Sequence, residues 1–563
     1  MIGQHLARVP ASGLYRVPRR FQLLHCRGST AAVLAALCLT AGAMPQLACA
    51  QAQAAAPSMQ AACDELKSAD FSGVQDAPSK VMESALMEPA GEVPTACLAR
   101  GYVWPQVGFE LKMPASGWNG KMVELGAGGF AGSAQVPADR QVCDDAVRRG
   151  YACIHSDQGH TSGPGERGLA SLDGLWAYDN LQAELDYAYR SLHVLALAEK
   201  AIVQRFYGAP PQHSYFVGCS NGGRQALVAA QRFPWDFDGI LAMEPALDLS
   251  GAFTTFLYDL KAVTDDAGKP LFASGDLKLM HNAAVAACDA DDGLRDGVIG
   301  NPPACKFDPA QLACTAAQQS GCLTPVQVAA AHKVYAGPKT SRGRVLYRGH
   351  PMPGSEEGVF GFAVTKPIAV NAVADFFRYL AFMPDAGPGW KPADFDFDAD
   401  YQRESVMEGL YASSNPDLRP FHEAGGKLLL VQGWTDSGTP FPLRTIDYYE
   451  TVEKVMGGPN KTAEFARLFM VPGRDHCGGG DGASAADYLG SLEAWVEQGQ
   501  APDLIKASHI EPVTGAADFM REPADPARVK FTRPLYPYPV WAKYKGSGDP
   551  KDYRNFKPID PRK

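Results

Sequence analysis

Ten residues, VGCSNGGRQA from Val217 to Ala226, constrain this chain more than any other stretch. Gly218-Cys219-Ser220-Asn221-Gly222 has the form G-x-S-x-G. That pattern demands a sharp turn from a strand into a helix, with small residues on either side so that the two elements can approach. The flanks agree with it. SYFVG, just before, is a short apolar run of the kind that makes a buried strand. GGRQALVAAQRFP, just after, has helical spacing and stops near Pro234. A serine on such a turn stands exposed at the end of its strand.

The surrounding chain alternates strand and helix. KMVELGAGGFAG reads as a strand entering a glycine-rich turn at Gly126–Gly132, after a polar lead-in. GYACIHSDQGH is a second short strand ending in a loop, and FDGILAMEPA is another strand. YDNLQAELDYAYRSLHVLALAEKAIVQRFYG reads as one helix ending at Gly208. This order predicts an α/β fold with a parallel sheet. The alternation breaks from about Leu247 to Ala424, where Pro, Gly, aromatics and four cysteines crowd. It resumes at GKLLLVQGWTD and ARLFMVPGRDHC. The expected organisation is a core in two parts, 51–246 and 425–563, with residues 247–424 inserted where a lid would sit. The tail RPLYPYPVWAKYKGSGDP is expected to wrap the surface.

Composition narrows the function classes. With 563 residues, 46% of them hydrophobic, the chain can bury a large core. Its net charge of −10 offers no basic field to collect phosphates, which argues against a nucleic-acid partner. Arg8, Arg16, Arg19, Arg20 and Arg27 precede the apolar run AAVLAALCLTAGAM, and Ala48-Cys49-Ala50 has the small-x-small form of a cleavage site. Residues 1–50 are therefore expected to be a signal peptide, the mature chain secreted or periplasmic, with no stable membrane association. Three of the 13 cysteines fall in that segment, leaving ten. Export and an even count favour disulfides, and no C-x-x-C occurs.

A serine hydroxyl attacks poorly until a base removes its proton. In this kind of fold the partners follow in the order serine, acid, histidine. Asp436 ends the strand LLLVQGWTD and His476 follows LFMVPG, so these are the expected acid and base. Asp475 is adjacent to His476 and reads as structural. His160, in SDQGH, is the rival base, but it precedes the serine. The oxyanion donors expected are the Asn221 N–H and that of Gly128 or Gly129. Cys219 precedes Ser220 and Cys477 follows His476. If they are bonded, nucleophile and base are tied through their own backbones.

A second cluster lies in CDADDGLRDGVIGNPPAC, where Asp289, Asp292 and Asp296 crowd one loop. Close carboxylates repel one another unless a cation neutralises them, and hard oxygens suit Ca²⁺. The loop is not an EF-hand, because Gly293 is misplaced and no Glu stands at the twelfth position. A solvated acidic turn is the alternative.

Taken together, GCSNGG, GWTD and DHCGGG resemble the tannase and feruloyl esterase family, which also includes a hydrolase of mono(2-hydroxyethyl) terephthalate. The resemblance covers nearly the whole mature chain. It implies an α/β-hydrolase core with a large inserted lid, a Ser220-Asp436-His476 triad, and a Cys219–Cys477 bond. It implies structural Ca²⁺ in the lid, held by the three aspartates with the carbonyls of Leu294 and Val298, and no organic cofactor. It also implies the pairs Cys288–Cys305, Cys314–Cys322 and Cys63–Cys97, leaving Cys143 and Cys153 over. The family's extra cysteine pair in the tail is missing here. By rough position in the family, Phe376, Phe377, Arg378 and Trp390 are the expected acyl-pocket residues, with Thr439 near the pocket wall. The implied activity is hydrolysis of an aromatic ester, as a small molecule or on a polymer, of feruloyl type. Galloyl esters and terephthalate monoesters are the alternatives within the class. A non-catalytic calcium-stabilised binding protein is the alternative outside it.

Overall fold

In a computed structural model of the chain, the run before the serine turn becomes a strand of one mixed sheet and the run after it a helix, Asn221–Arg232. Residues 58–162, 172–348, 351–358, 360, 367–436, 442–511 and 525–563 are described. The expected signal peptide and Thr439 lie outside them.

The sheet comprises β1 (Ser79–Met87), β2 (Ala96–Val103), β3 (Val107–Pro114), β4 (Lys121–Leu125), β5 (Ala152–Ser156), β6 (His213–Cys219), β7 (Gly239–Met243), β8 (Lys427–Gly433) and β9 (Ala466–Val471). Their order is β1-β2-β3-β5-β4-β6-β7-β8-β9. From β5 to β9 every pairing is parallel, and these strands are almost wholly buried, as parallel strands covered on both faces must be. Register brings their C-terminal ends together: Cys219 faces Met243, Met243 faces Val431, and Gly433 faces Val471. Chain leaving β6, β8 and β9 therefore emerges on one edge, where open α/β sheets place their ligands.

The polar lead-in is itself structure. β1 to β3 form an antiparallel meander that joins the sheet through β3 and β5. β1 alternates buried and exposed positions, so its polar residues are one solvated face of a strand. The disulfide Cys63–Cys97 ties helix Met59–Glu65 to β2. Cys143–Cys153 joins helix Pro137–Arg148 to β5.

The long helix read over 178–208 is divided. Leu181–Leu185 and Ser191–Tyr207 are α-helical, and Asp186–Arg190 between them is one wide π turn. Fully buried Arg224 accounts for that turn, since it donates to the carbonyls of Tyr187 (2.8 Å) and Ala188 (2.9 Å). A third bond, to the Tyr411 carbonyl at 3.1 Å, fastens the helix after the serine to the inserted segment.

Between β7 and β8 the chain forms helices Leu249–Ala262, Ser274–Cys288, Pro325–Ala336, Pro367–Tyr379 and Ser405–Tyr411. They enclose an aromatic core in which Phe253 stacks on Phe376 at 4.2 Å and Phe377 on Trp390 at 5.0 Å. The same apolar cluster takes in Phe130 and Tyr187 from the sheet side, so the insertion packs directly onto the strand ends. Cys288–Cys305 and Cys314–Cys322 staple its loops.

The tail docks without a cysteine pair. Two antiparallel hairpin pairings, Ile505–Ile510 with Val529–Leu535 and Trp541–Tyr544 with Phe556–Ile559, carry it. The Tyr538 N–H donates to the Leu468 carbonyl at 2.8 Å, on the free edge of β9. Arg533 lies 4.4 Å and 4.6 Å from the Phe531 and Phe556 rings and pairs with Asp296 of the acidic loop. Among the described residues no helix is long and apolar enough to cross a membrane.

Candidate active site

The serine turn is strained in the way its sequence demands. Ser220 has φ 63° and ψ −123°, a conformation that side-chain-bearing residues rarely hold. Its N–H donates to the Met243 carbonyl at 3.0 Å, and its own carbonyl accepts from Arg224 and Ala246. A Cβ at position 218 would lie 2.3 Å from the Gly222 carbonyl oxygen, and one at 222 would lie 2.7 Å from that of Gly126. Strand, helix and the β4 turn meet at these two glycines, and no larger residue fits there.

Asp436 and His476 reach the same edge from β8 and β9. His476 Nδ1 lies 2.8 Å from Asp436 Oδ1. A carboxylate only accepts, so Nδ1 carries the proton and Nε2 keeps its lone pair. Asp436 is buried, and the Gln432 amide donates to its other oxygen at 2.9 Å. Gln432 is fixed in turn by the Thr445 hydroxyl at 2.7 Å. Burial disfavours the imidazolium, but the Asp436 charge and hydrogen bond, with Glu244 and Asp475 behind, outweigh it and raise His476 above its ordinary value. Asp475 accepts the His476 backbone N–H at 2.8 Å.

Cys219 and Cys477 are bonded, with Cα atoms 5.8 Å apart across a separation of 258 residues. Beneath this bridge lies Glu244, fully buried, accepting from Arg474 Nε at 2.7 Å and the Gly433 N–H at 3.1 Å. Ser220, Glu244 and Cys477 all have positive φ, so backbone strain gathers around one point. Gln432, Glu244 and Arg474 escaped the sequence reading. Each was nonetheless visible as a polar residue in or beside an apolar run (LLLVQG, ILAMEPA and FMVPGR).

The Asn221 N–H, first of its helix, and the N–H groups of Gly128 and Gly129 donate to no described residue. The turn carrying those glycines is pinned to the serine helix. Asn221 Nδ2 donates to the Ala127 carbonyl at 2.9 Å, and the Ala127 N–H donates to Gln225 at 3.2 Å. His160 braces the same turn from behind, with Nε2 2.7 Å from the Phe130 carbonyl and its ring stacked on Trp176 at 3.7 Å. Burial pushes its imidazole down to about 4. It is a structural histidine and does not line the cavity.

Ser220, Asn221, Gly128, Gly129 and His476 line one cavity of about 390 Å³. Its far wall comes from the insertion: Leu249, Phe253, Phe256, Ala372 and Val373. Phe376, Phe377, Arg378 and Trp390, expected in the acyl pocket, do not line it. Phe376 and Phe377 sit one turn beyond Ala372 and Val373 on the same helix face, ~6 Å further along the axis. There Phe253 and Trp390 cover them. Arg378 is spent on the Trp390 carbonyl at 3.1 Å and on Asp375 at 3.2 Å.

The acidic loop lies apart from this cavity. Asp289 accepts the N–H groups of Asp296 (3.2 Å) and Gly297 (3.1 Å), and Asp292 that of Leu294 (3.0 Å). Burial raises the Asp292 carboxyl to about 7 against its backbone bond, and the charges of Asp296 and Asp289 add to that. Among the described residues the one trio of ligand-type atoms within 4.8 Å of one another is Cys219, Glu244 and Cys477. Its sulfurs are bonded to each other and offer no thiolate. The three aspartates are more widely spread, but their donors are all hard oxygens and fit Ca²⁺.

A profile described as tannase and feruloyl esterase matches residues 95–559. The mono(2-hydroxyethyl) terephthalate hydrolase of Piscinibacter sakaiensis is 34% identical over 568 aligned positions, covering 88% of this chain and 91% of that protein. A probable feruloyl esterase of Arthroderma benhamiae is 33% identical over 462 positions, covering 78% and 80%. The crystal structure of feruloyl esterase B from Aspergillus oryzae superposes with a TM-score of 0.76 at 26% identity, covering 89% of this chain and 100% of that one.

Proposed function

Because the chain belongs to the tannase and feruloyl esterase family and is a carboxylic ester hydrolase, we propose that this cavity cleaves esters of aromatic carboxylic acids through an acyl-enzyme on Ser220. Ser220 Oγ attacks the ester carbonyl while His476 Nε2 takes its proton. Asp436 holds the His476 tautomer and stabilises the imidazolium. The Asn221 N–H and that of Gly128 or Gly129 hold the oxyanion. Collapse expels the alcohol, which takes the proton from His476. Water, deprotonated by His476, then attacks the acyl-enzyme and releases the acid.

The observation that carries this reading is the 2.8 Å Asp436–His476 contact, with His476 and a strained Ser220 lining one cavity and a disulfide joining their neighbours. The Phe253 and Phe256 wall supports an aromatic acyl group. Feruloyl and other hydroxycinnamoyl esters are the substrates we assign, free or attached to a polymer. The 34% identical terephthalate-ester hydrolase makes a terephthalate monoester the second reading. Hydrolysis of methyl ferulate, methyl gallate and mono(2-hydroxyethyl) terephthalate tests both, with Ser220→Ala as the blank. Cleavage of none of the three contradicts the aromatic-ester assignment.

Ca²⁺ is proposed for the insertion, held by Asp289, Asp292 and Asp296 with the Leu294 and Val298 carbonyls. It would neutralise three carboxylates of one loop closed by Cys288–Cys305. Export to an oxidising compartment is proposed from the basic, apolar leader, and the five disulfides among the described residues support it.

A further inference from the structure

One group in the cavity has no part in the hydrolysis just described. Asp139, in the first turn of helix Pro137–Arg148, lines the cavity together with Ser220 and His476. Its carboxyl has no hydrogen-bond or ion-pair partner among the described residues. Its neighbours on that helix are engaged elsewhere. Arg140 grips Glu110 through two nitrogens, Asp144 holds Lys112 at 2.6 Å, and Asp145 pairs with Arg148. The walls around Asp139 are largely apolar, built by Phe130, Val136, Leu249, Phe253, Phe256 and Val373. No lysine or arginine is among the described lining residues. Burial pushes the Asp139 carboxyl up to about 6, so it is mostly ionised in neutral and mildly alkaline solution. An ionised carboxylate facing an apolar cavity without a partner is destabilising on its own, and sites that break packing rules in this way are where function concentrates.

Resting on the serine-hydrolase reading of this cavity, we propose that Asp139 is a specificity-determining residue. It accepts a hydrogen bond from a ring hydroxyl of the bound ester and repels an ester that carries a second carboxylate. The favoured substrates are then esters of neutral, hydroxylated aromatic acids. Monoesters of aromatic diacids are disfavoured, despite the terephthalate-ester hydrolase among the relatives. Each effect has a computable scale. A hydrogen bond to a charged acceptor is worth about 10- to 100-fold. Like charges ~6 Å apart at an effective dielectric of ~20 give roughly 100-fold discrimination.

Two substrate pairs isolate the two effects. Methyl ferulate against methyl 3,4-dimethoxycinnamate differs in one free ring hydroxyl. Dimethyl terephthalate against monomethyl terephthalate differs in one negative charge. Ratios of kcat/KM within one preparation cancel the folded fraction. The wild type should favour the first member of each pair by about 10-fold or more. Asp139→Asn should reduce the terephthalate ratio at least several-fold, and Asp139→Leu should reduce both. A wild type with ratios near one, or variants with unaltered ratios, overturns the proposal alone. A wild type that cleaves none of the four esters and takes no fluorophosphonate on Ser220 overturns the hydrolase reading, and the proposal with it.

Discussion

The strand ends and the inserted helices build two sides of one cavity by different means. On the strand side, positions are set by backbone. Ser220 is held at φ 63°, Cys219 is bonded to Cys477 across 258 residues, and Glu244 with Arg474 fills the space beneath. On the inserted side, positions are set by apolar packing of Leu249, Phe253, Phe256, Ala372 and Val373, and the disulfides span only 17 and 8 residues. Groups that must meet within a hydrogen bond of one another sit on the constrained side. Groups that only shape the pocket sit on the side held by packing.

The largest test of that contrast is kinetic. Ser220→Ala should lower kcat by about 10⁴-fold or more, as removal of a triad nucleophile does. Phe253→Ala should change kcat/KM by only about 10- to 100-fold, mainly through substrate binding. Comparable losses would mean that the two sides are not distinct. Steady-state kinetics on one aromatic ester, alongside thermal melts of both variants, decides it.

Removing disulfides comes next. Loop entropy assigns Cys219–Cys477 about 5.5 kcal/mol and Cys314–Cys322 about 2.5 kcal/mol, both upper figures. Urea unfolding of the two double-serine variants should reproduce that order. Only loss of Cys219–Cys477 should also lower kcat in the protein that remains folded.

Calcium sharpens the contrast further. At a hundredfold excess over its Kd, a bound ion adds about 2.7 kcal/mol. Chelation should therefore lower Tm while leaving kcat of the folded enzyme within about twofold, since the acidic loop does not line the cavity. An unchanged Tm contradicts the ion.

The smallest effect is on pH. His476 must be neutral to act as base, and its pKa is raised, so the acid limb of kcat/KM should fall above 6.5, the ordinary histidine value. The same shift stabilises the fold fully below 6.5, and that contribution is lost as pH rises through the raised folded value. A limb below 6.5 contradicts the Asp436 contact.

The two sides also differed in how readable they were. Ser220, Asp436 and His476 stand where strands end, and turn chemistry is local information; Ser220 and His476 line one cavity, and Asp436 contacts the His476 ring. The π turn at Asp186–Arg190 was invisible, because its cause is Arg224, distant in sequence. β1 is hard to read because one solvated face breaks its apolar run, and β3 because it carries buried Glu110 and Lys112, whose ion-pair partners lie elsewhere in the chain. Along one helix, Ala372 and Val373 line the cavity and the expected Phe376 and Phe377, one turn on, do not. Val373 and Phe377 share a face, and only tertiary packing decides which of them reaches the cavity. Nothing in PADRQVC indicates that Asp139 faces that cavity while Arg140 pairs away from it.

The central claim is that Ser220 is a nucleophile activated by His476. Mass spectrometry after fluorophosphonate treatment tests it most directly. One adduct per chain is expected, mapped to Ser220, its formation slowed at least a thousandfold in His476→Ala, as loss of a triad base implies. No adduct on the folded wild type, or labelling of Ser220 that proceeds equally fast without His476, would contradict it.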